Sequence, residues 1–531
     1  MIDRREFLRT LCAAAATLAA GPERLFADTW GAEAAYFGLH PFIESHPEAV
    51  FVLRTQVATK LDSASKKQAG LDFGQSVFVA MTSPGTPLSH HVVIKPNLTC
   101  RARSHPAYTV ERSMGIVTDV HFVEGVIESL KTLGLGGSQF HIREANCPAD
   151  LADGGYPDMA TRTGADLQAI NAPYGTLPPG ALQWTDVPDG IWFSRIPYLW
   201  PVNAPDTFLI NIAKLKTHAM GLTLCAKNLQ GTIANGYVQH CRTYGQAMGM
   251  NPADVRTGAN ATILANYNRH VADGIPRWDR PGDQGGLWQE TWATRCLDNH
   301  SVTRPALHVI EGIYGRDGHF MDGPSPEGLA TDTMMNVILF GKNPFRVDAI
   351  GHWMGGHEPG DFGLFHLASE RGFTTLMDPR RIPVYEWNAD GSASLTPLSS
   401  FARTALKTLY LQRDYNGQTE PYWHLVDEPF TYPVDVPIAT DNGRGPSTLG
   451  QPFPNPTTRT TSIPFTLARQ SGVRLDIVDV GGRVVAVLAE GMLPGGSHLM
   501  RWDASRQPAG IYFCRLRGAG QRATRSLVVM K

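Results

Sequence analysis

The feature of this 531-residue sequence that most restricts its fold is an alternation of short apolar runs with segments of helical spacing. Between two of these runs, residues 123–131 place apolar side chains on one helical face and charged side chains on the other. The apolar runs of strand length are residues 92–94, 140–142, 208–212, 307–310 and 337–340. Strands that alternate with helices predict an α/β domain with a mostly parallel sheet over residues 28–400.

The pattern changes near the C-terminus. Residues 401–450 include a stretch rich in Pro, Gly, Asn and Thr, which is typical of a linker. Beyond it, Val473, Leu475 and Ile477 alternate with Arg474 and Asp476, and turn residues recur about every ten positions. This period of two predicts a small antiparallel β-sandwich over residues 451–531.

The N-terminus carries an export pattern. Arg4 and Arg5 precede Phe7 and Leu8, and an Ala-rich apolar stretch follows at residues 11–20. A charged start before a short apolar run is typical of a signal peptide, and the run is too short to span a bilayer. The paired arginines resemble the twin-arginine motif. We therefore expect a cleavable signal over residues 1–27, the twin-arginine translocase as a partner and no membrane span in the mature chain. An ordinary amphipathic N-terminal helix is the alternative.

Polar residues cluster where the apolar runs end. A buried ammonium group needs an anionic partner. Glu144, Glu311 and Asp348 could supply it internally, or a bound phosphate or carboxylate could do so. We favour the ligand, because the lysines and asparagines outnumber the nearby acids. The predicted ligand-binding residues are Lys95, Asn97, Lys214, Lys227, Asn228 and Asp348, and the predicted catalytic residues are Lys216 and His218.

Each of these residues has an expected role. The lysines would bind an anionic group, and the two asparagines would orient it. Lys214, Lys216 and His218 are spaced two apart, which places them on one face of an extended chain. His218 would act as the acid or base, because neighbouring ammonium groups favour a neutral imidazole. Asp348 would pair with a lysine or bind a metal.

Other side chains offer weaker candidates. Metal ligands could come from His352 and His357, from the loop with Asp317, His319 and Asp322, or from His240 and Cys241; hydrogen-bonded loop histidines are the default interpretation. None of the seven cysteines forms a C-x-x-C pair, so the sequence has no iron–sulfur motif and the cofactor stays unknown. Disulfides and buried free thiols are both open.

Charge and motifs exclude several functions. The net charge of −2 gives no reason to expect nucleic acid as a partner. The sequence has no G-x-S-x-G elbow, no P-loop, no H-E-x-x-H and no G-x-G-x-x-G after a strand. Serine hydrolases of the usual kind, P-loop NTPases, zincins and Rossmann dehydrogenases are therefore disfavoured.

Two family resemblances follow from these motifs. The phrases IKPN, LINIAKLKTHAMGLTLCAKNLQG and NPFRVDAIGHWMG resemble the domain of unknown function 362 over residues 90–375. That family has no agreed reaction, and its pattern falls on the eight residues predicted above as ligand-binding or catalytic. The phrases VDVGGRVV, LPGGSHLMRWD and PAGIYFCRL resemble the C-terminal sorting domain of type IX secretion and the immunoglobulin-like domain of flagellar hook-capping proteins. The alternative for the C-terminus is a plain accessory sandwich.

Together these patterns predict an exported protein that is periplasmic, surface-attached or extracellular, with type IX machinery as a partner. Its large domain would bind a small anionic ligand or a metal-linked cofactor and catalyse an unidentified reaction, with a redox or metal-dependent role as the favoured subtype. Two other hypotheses are a non-catalytic surface protein that binds the same ligand and a domain whose lysines are purely structural.

Overall fold

The structure is a computed structural model that divides into two compact units, one ending at Phe430 and the next beginning at Thr431. This division falls inside the predicted linker, and each unit is described by itself. The predicted signal at residues 1–27 lies outside the described residues. The structure describes residues 36–81, 85–98, 115–145, 152, 154–169, 174–218, 221–222, 224–234, 255–276, 278–279, 287–317, 332–374, 377–407, 412–413, 429–432, 448–450, 452, 455–457, 459–467, 471–493, 496–518 and 521–531.

The strands of the first unit cover every apolar run that the sequence analysis predicted to be a strand. They are β1 (Tyr36–Leu39), β2 (Val50–Arg54), β3 (Phe78–Met81), β4 (Thr86–Pro87), β5 (His91–Pro96), β6 (Phe140–Glu144), β7 (Asp166–Ala169), β8 (Leu182–Asp186), β9 (Arg195–Leu199), β10 (Thr207–His218), β11 (Gly221–Leu222), β12 (Trp278–Asp279), β13 (Leu307–Arg316), β14 (Asp332–Gly341), β15 (Val384–Trp387), β16 (Ala393–Leu395) and β17 (Gln412–Arg413).

Helices connect many of these strands. They are α1 (Pro41–Ser45), α2 (Ser63–Val77), α3 (Val120–Lys131), α4 (Tyr156–Thr163), α5 (Cys225–Asn228), α6 (Ala259–Ala272), α7 (Leu287–Val302), α8 (Pro344–Met354) and α9 (Gly363–Glu370). Short 3-10 turns lie at Gly137–Gln139, Tyr174–Thr176, Leu229–Thr232, Pro359–Asp361, Pro379–Arg381 and Leu398–Ser400. Within the described ranges, no helix is long and apolar enough to cross a membrane.

One large sheet organises the first unit. Its strand order is β16-β15-β2-β14-β13-β10-β5-β6-β7, and β11 pairs with β10 beside this path. The strands from β13 through β10, β5 and β6 to β7 are parallel, whereas β14 runs antiparallel to both of its neighbours. The predicted α/β architecture with a mostly parallel sheet is confirmed. Because parallel strands end at the same edge, the carboxyl ends of β5, β6, β10 and β13 lie together.

The sheet is buried on both faces. On one face, Ile210 and Ile212 of β10 belong to a core that includes the apolar side of α3, with Val123 and Ile127 fully buried. On the other face, Leu209 of β10 belongs to a second core with aromatic side chains from the β8–β9 region. This burial explains why the central strands read as continuous apolar runs rather than as an alternating pattern.

The second unit is all-β, as predicted. One sheet has the order β18-β19-β22 and the other β21-β20-β23-β24, and all their pairings are antiparallel. Inward residues of both sheets, including Phe465, Leu475 and Leu516, form one core, which makes the unit a sandwich. Its strands are β18 (Thr448–Leu449), β19 (Thr460–Leu467), β20 (Ser471–Asp479), β21 (Val484–Leu493), β22 (Gly496–Asp503), β23 (Gly510–Gly518) and β24 (Gln521–Val529).

Candidate functional site

The predicted site residues lie around the carboxyl ends of the parallel strands. Lys95 of β5 is 1% exposed, and its Nζ donates to Oε2 of Glu144, at the end of β6, over 2.8 Å. Burial lowers the pKa of Lys95, and the Glu144 carboxylate opposes that shift. Lys95 thus has an internal carboxylate partner of the kind that the sequence analysis considered as an alternative to a ligand.

Asn228 of α5 binds the Lys95 region from the other side. Its Oδ1 accepts from Lys95 Nζ at 3.1 Å and from Asn97 Nδ2 at 3.2 Å. Its Nδ2 donates to the Lys95 carbonyl oxygen at 3.0 Å and to Asn211 Oδ1 at 2.8 Å. Asn228 therefore uses both of its donor hydrogens and its oxygen on protein groups, and it ties α5 to β5 and β10.

Gly231 completes this arrangement. A Cβ atom at Gly231 would lie 2.4 Å from Oε1 of Glu144 and 2.5 Å from Cε of Lys95. The Gly231 carbonyl oxygen also accepts from the backbone N–H of Ala145 at 2.8 Å. The K-N-x-x-G motif thus supplies the asparagine that holds Lys95 and the glycine that lets the backbone approach the Lys95–Glu144 pair.

Lys214 lies in a second buried network. Its Nζ is 2.9 and 2.8 Å from the two carboxylate oxygens of Glu311 and 3.5 Å from the centre of the Tyr314 ring. Next to this pair, Lys66 Nζ donates to Oδ2 of Asp119 at 2.7 Å. Burial raises the pKa of Glu311, although Lys214 opposes the shift.

The two pairs of this network are joined directly. The backbone N–H of Asp119 donates to Oε2 of Glu311 at 3.1 Å, and the Tyr314 hydroxyl donates to Oδ2 of Asp119 at 2.9 Å. Burial opposes ionisation of Asp119, but Lys66, with Lys214 and Tyr314, outweighs it and holds the pKa of Asp119 below its ordinary value. Two ammonium groups and two carboxylates therefore balance each other.

The prediction that Asp348 pairs with a lysine is wrong. Its two carboxylate oxygens accept from the backbone N–H groups of Cys225 and Ala226, both at 2.8 Å. The physical reason is that α5 begins at Cys225, where backbone N–H groups lack helical partners and need an acceptor. Burial nevertheless raises the pKa of Asp348 to about 7, and the two N–H groups oppose that shift.

Lys216 and His218 lie at the end of β10, and Lys227 lies on α5. Lys216 is 2% exposed and His218 is 4% exposed. Lys227 Nζ lies 3.2 Å from Nε2 of His218. An ammonium group has only donors, so Nε2 is the acceptor and the imidazole is neutral in this contact. Lys214 contacts Glu311, whereas His218 contacts Lys227, so these two residues have different surroundings. Between Lys214 and Lys216, β10 also changes its register with β13.

Asn97 lies beside the same strand ends and is partly exposed. Its backbone N–H donates to the Ile212 carbonyl oxygen at 3.1 Å and to the Thr118 hydroxyl at 2.8 Å. Its side-chain Oδ1 is buried and has no hydrogen-bond partner among the described residues. Asn97 therefore has an acceptor oxygen that a ligand donor could satisfy.

The other histidine candidates bind backbone groups. Nε2 of His352 contacts the Leu222 carbonyl oxygen at 2.9 Å, and Nε2 of His357 contacts the Leu406 carbonyl oxygen at 2.6 Å. Burial lowers the pKa of His352 to about 3. In the part of the chain that the structure describes, no three His, Cys, Asp or Glu side chains form a group that could hold a metal. His240, Cys241, His319 and Asp322 lie outside the described residues.

Sequence reasoning missed several residues of these networks. Asn211 is fully buried. Its sequence signal is that it is the one polar residue inside the apolar run 208–212 of β10. Asp119 caps the first turn of α3 by accepting from His121, which is a recognisable N-cap position. Lys66 gave no signal, because a lysine on a helix is normally a solvated residue.

The fold and site define an α/β domain with charged groups at its strand ends, followed by an all-β unit. The chain contains a DUF362 domain, described as a domain of unknown function, over residues 92–352. It also contains a secretion system C-terminal sorting domain over residues 451–530. That sorting domain indicates export to the cell surface or the extracellular space.

Two solved structures match short parts of the chain at low identity. Latent dimeric PorU from Porphyromonas gingivalis matches at 18% identity over 16% of this chain and 10% of that chain, with a TM-score of 0.13. PorZ, an essential surface component of the type-IX secretion system of the same organism, matches at 14% identity over 28% of this chain and 20% of that chain, also with a TM-score of 0.13. Such low TM-scores support no inference here. No curated protein matches the chain.

Proposed function

We propose that the DUF362 domain of this exported protein binds a small anionic molecule where β10 ends, through Lys216 and Lys227, with His218 as the acid or base. The observation that carries the proposal is the 3.2 Å contact between Lys227 Nζ and His218 Nε2, two residues beyond Lys216 on the same strand. The Lys227 ammonium and the His218 imidazole meet there, at the edge of a parallel sheet where ligands usually bind.

The other predicted site residues have a supporting role in this proposal. Lys95 and Lys214 are each within 3 Å of a buried carboxylate, so their charges are already balanced. Asn228 and Asp348 hold the short helix α5, on which Lys227 lies. The scaffold residues therefore fix the position of Lys227 relative to β10, while Asn97 offers a free acceptor oxygen at the neighbouring strand.

This arrangement suits proton transfer on an anionic substrate. Nε2 of a neutral imidazole has one lone pair, which accepts from Lys227 in this contact. A bound anion would draw the Lys227 ammonium to itself, and the freed Nε2 could then take a proton from the bound molecule. The adjacent Lys227 ammonium would stabilise the negative charge that develops when the proton leaves. The reaction class that this supports is proton abstraction from a carboxylate- or phosphate-bearing substrate.

The first test is binding. We would measure the affinity of the full chain for inorganic phosphate and for succinate by calorimetry. Native mass spectrometry of the protein purified from its own cells would detect a retained small molecule. Lys227→Met removes a charge-assisted contact and should weaken anion binding by about tenfold or more. Lys131→Met is the matched control, because Lys131 forms a partly exposed pair with Glu128 at the end of α3, far along the chain from the motif.

The outcomes separate the alternatives. If His218→Asn keeps the anion affinity of the wild type but abolishes turnover of a substrate identified from the retained molecule, the protein is an enzyme. If His218→Asn and Lys227→Met both abolish binding and no turnover accompanies the retained molecule, the site belongs to a non-catalytic binding protein. If the native protein carries no small molecule and neither anion binds, the proposal is wrong.

A further inference from the structure

The outer face of the four-stranded sheet in the second unit carries a row of arginines. Cross-strand partners share a face, and Arg474 of β20 lies opposite Arg517 of β23, which lies opposite Arg522 of β24. Adjacent strands are about 4.8 Å apart, so three guanidinium groups are aligned across about 10 Å. Like charges directly opposite each other destabilise a sheet, so this row is not explained by folding alone.

One buried carboxylate offsets part of this charge. Asp476 is 0% exposed and accepts from Arg515 Nε at 2.9 Å, from Arg474 Nε at 3.2 Å and from Arg517. Burial opposes ionisation of Asp476, but these hydrogen bonds outweigh it and lower its pKa. The shared carboxylate fixes the arginines in place, as a preorganised binding surface requires.

The face keeps a positive excess. Arg474, Arg515, Arg517 and Arg522 face Asp476 and Glu490, so four arginines stand against two carboxylates. Arg522 is exposed and has no ion pair among the described residues. The three arginines that hold Asp476 are themselves 28–41% exposed, which leaves their remaining N–H groups able to reach a partner.

Apolar side chains adjoin the arginines on the same face. Val487 pairs with Asp476 and is 44% exposed, and Val484 pairs with Val478 and is 41% exposed. Ile511 of β23 is 51% exposed, two residues before Phe513, which pairs with Val478. Arginine beside exposed aliphatic groups suits a protein–protein interface, whereas a charged polysaccharide would use the arginines alone.

We propose that this sheet face, defined by Arg474, Arg515, Arg517, Arg522, Val484, Val487 and Ile511, docks an acidic protein segment that also carries apolar side chains. Carboxylates of the partner pair with the arginine row, because the planar guanidinium binds carboxylates through two parallel hydrogen bonds. Its apolar side chains cover Val484, Val487 and Ile511. This docking surface is independent of the anion site in the first unit.

The test uses the full chain with three immobilised probes: poly-L-glutamate, a glutamate–tyrosine copolymer and dextran sulfate. Arg522→Glu should weaken binding of both polypeptides by about tenfold at low ionic strength. The fold should survive, because a glutamate opposite Arg517 makes a favourable cross-strand pair. Arg483→Glu is the matched control: it makes the same charge change at a side chain that is 80% exposed in a turn of the same unit.

A second variant tests the apolar part. Val487→Asp should weaken binding of the copolymer more than binding of poly-L-glutamate, because only the copolymer offers apolar contacts. The proposal fails if Arg522→Glu and Arg483→Glu behave alike. It also fails if dextran sulfate binds more tightly than both polypeptides and Val487→Asp has no effect, since the face would then bind polyanions in general. If Arg522→Glu unfolds the unit, Arg522→Gln takes its place, with about threefold weaker binding expected.

Discussion

The Lys95 ammonium lies 2.8 Å from Oε2 of Glu144, and the backbone of Gly231 packs directly against both side chains. This contact joins the ends of β5 and β6 to the segment that follows α5. Three segments that are distant in the sequence, around Lys95, Glu144 and Gly231, therefore form one buried cluster, in which Asn228 also binds Lys95. The position of Lys227, and with it the candidate anion site, depends on this buried cluster.

Gly231→Ala should destabilise the first unit by about 1–3 kcal/mol, because the added methyl group would overlap Glu144 and Lys95 in a packed site. Gly175→Ala is the control, since a Cβ there meets nothing within 4 Å. Chemical denaturation of the two variants beside wild type measures the difference. Equal stability of Gly231→Ala and wild type would show that the site relaxes without cost and that the glycine has another purpose.

Lys214→Met should destabilise the chain by about 3–5 kcal/mol, because it leaves Glu311 buried without its cation. Changing both residues, to Met and Gln, should recover most of that loss. The partly exposed pair Lys131–Glu128 is the control, and its single and double variants should stay within about 1 kcal/mol of wild type. If Lys214→Met keeps full stability but loses anion binding, Lys214 belongs to the ligand site as the sequence first indicated.

The fold was largely predictable from the sequence because its signals are local. The apolar runs at β5, β6, β10, β13 and β14 reflect strands buried on both faces, and α3 buries the predicted helical side. The alternation of Val473, Leu475 and Ile477 with Arg474 and Asp476 marked the sandwich, because one face of β20 lies in the core.

The partners of the charged residues were much harder to predict. Lys214 binds Glu311, and Lys66 binds Asp119 from a helix 53 positions earlier, so no local spacing indicates either pair. Asp348 was expected to pair with a lysine or to bind a metal, but its carboxylate accepts from two N–H groups of the helix that begins at Cys225. Tertiary contacts decide which charge meets which, and the sequence pattern only indicates that some partner must exist.

The stability of the first unit should depend on pH through Asp348. Its pKa is about 7 in the folded chain against an ordinary value of 3.8, with burial as the main cause. The folded state therefore holds the proton more tightly. The stabilisation is fully present below the unfolded pKa and is lost as pH rises through the folded pKa, by about 1.4 kcal/mol per pH unit in that window.

Subtracting the profile of Asp348→Asn from that of wild type should isolate this loss between about pH 4 and pH 7. Asp390→Asn is the control, because Asp390 is an exposed loop residue whose pKa is lowered by hydrogen bonds from Ser392. Its difference profile should be flat in the same window. A flat profile for Asp348→Asn as well, or one that rises with pH, would show that the two N–H groups keep the carboxylate ionised.

The thiols of Cys225, Cys296 and Cys514 should resist alkylation in the folded chain. All three are buried and free, and none forms a disulfide in the described part of the chain. Burial raises the pKa of Cys296 and of Cys514 to about 12, so very little of either is the reactive thiolate at neutral pH. Iodoacetamide followed by peptide mass spectrometry should find these sites unmodified in native protein and modified in denaturant. Labelling of Cys296 in native protein would mean that α7 moves away from Gln230, whose Nε2 contacts the Cys296 sulfur.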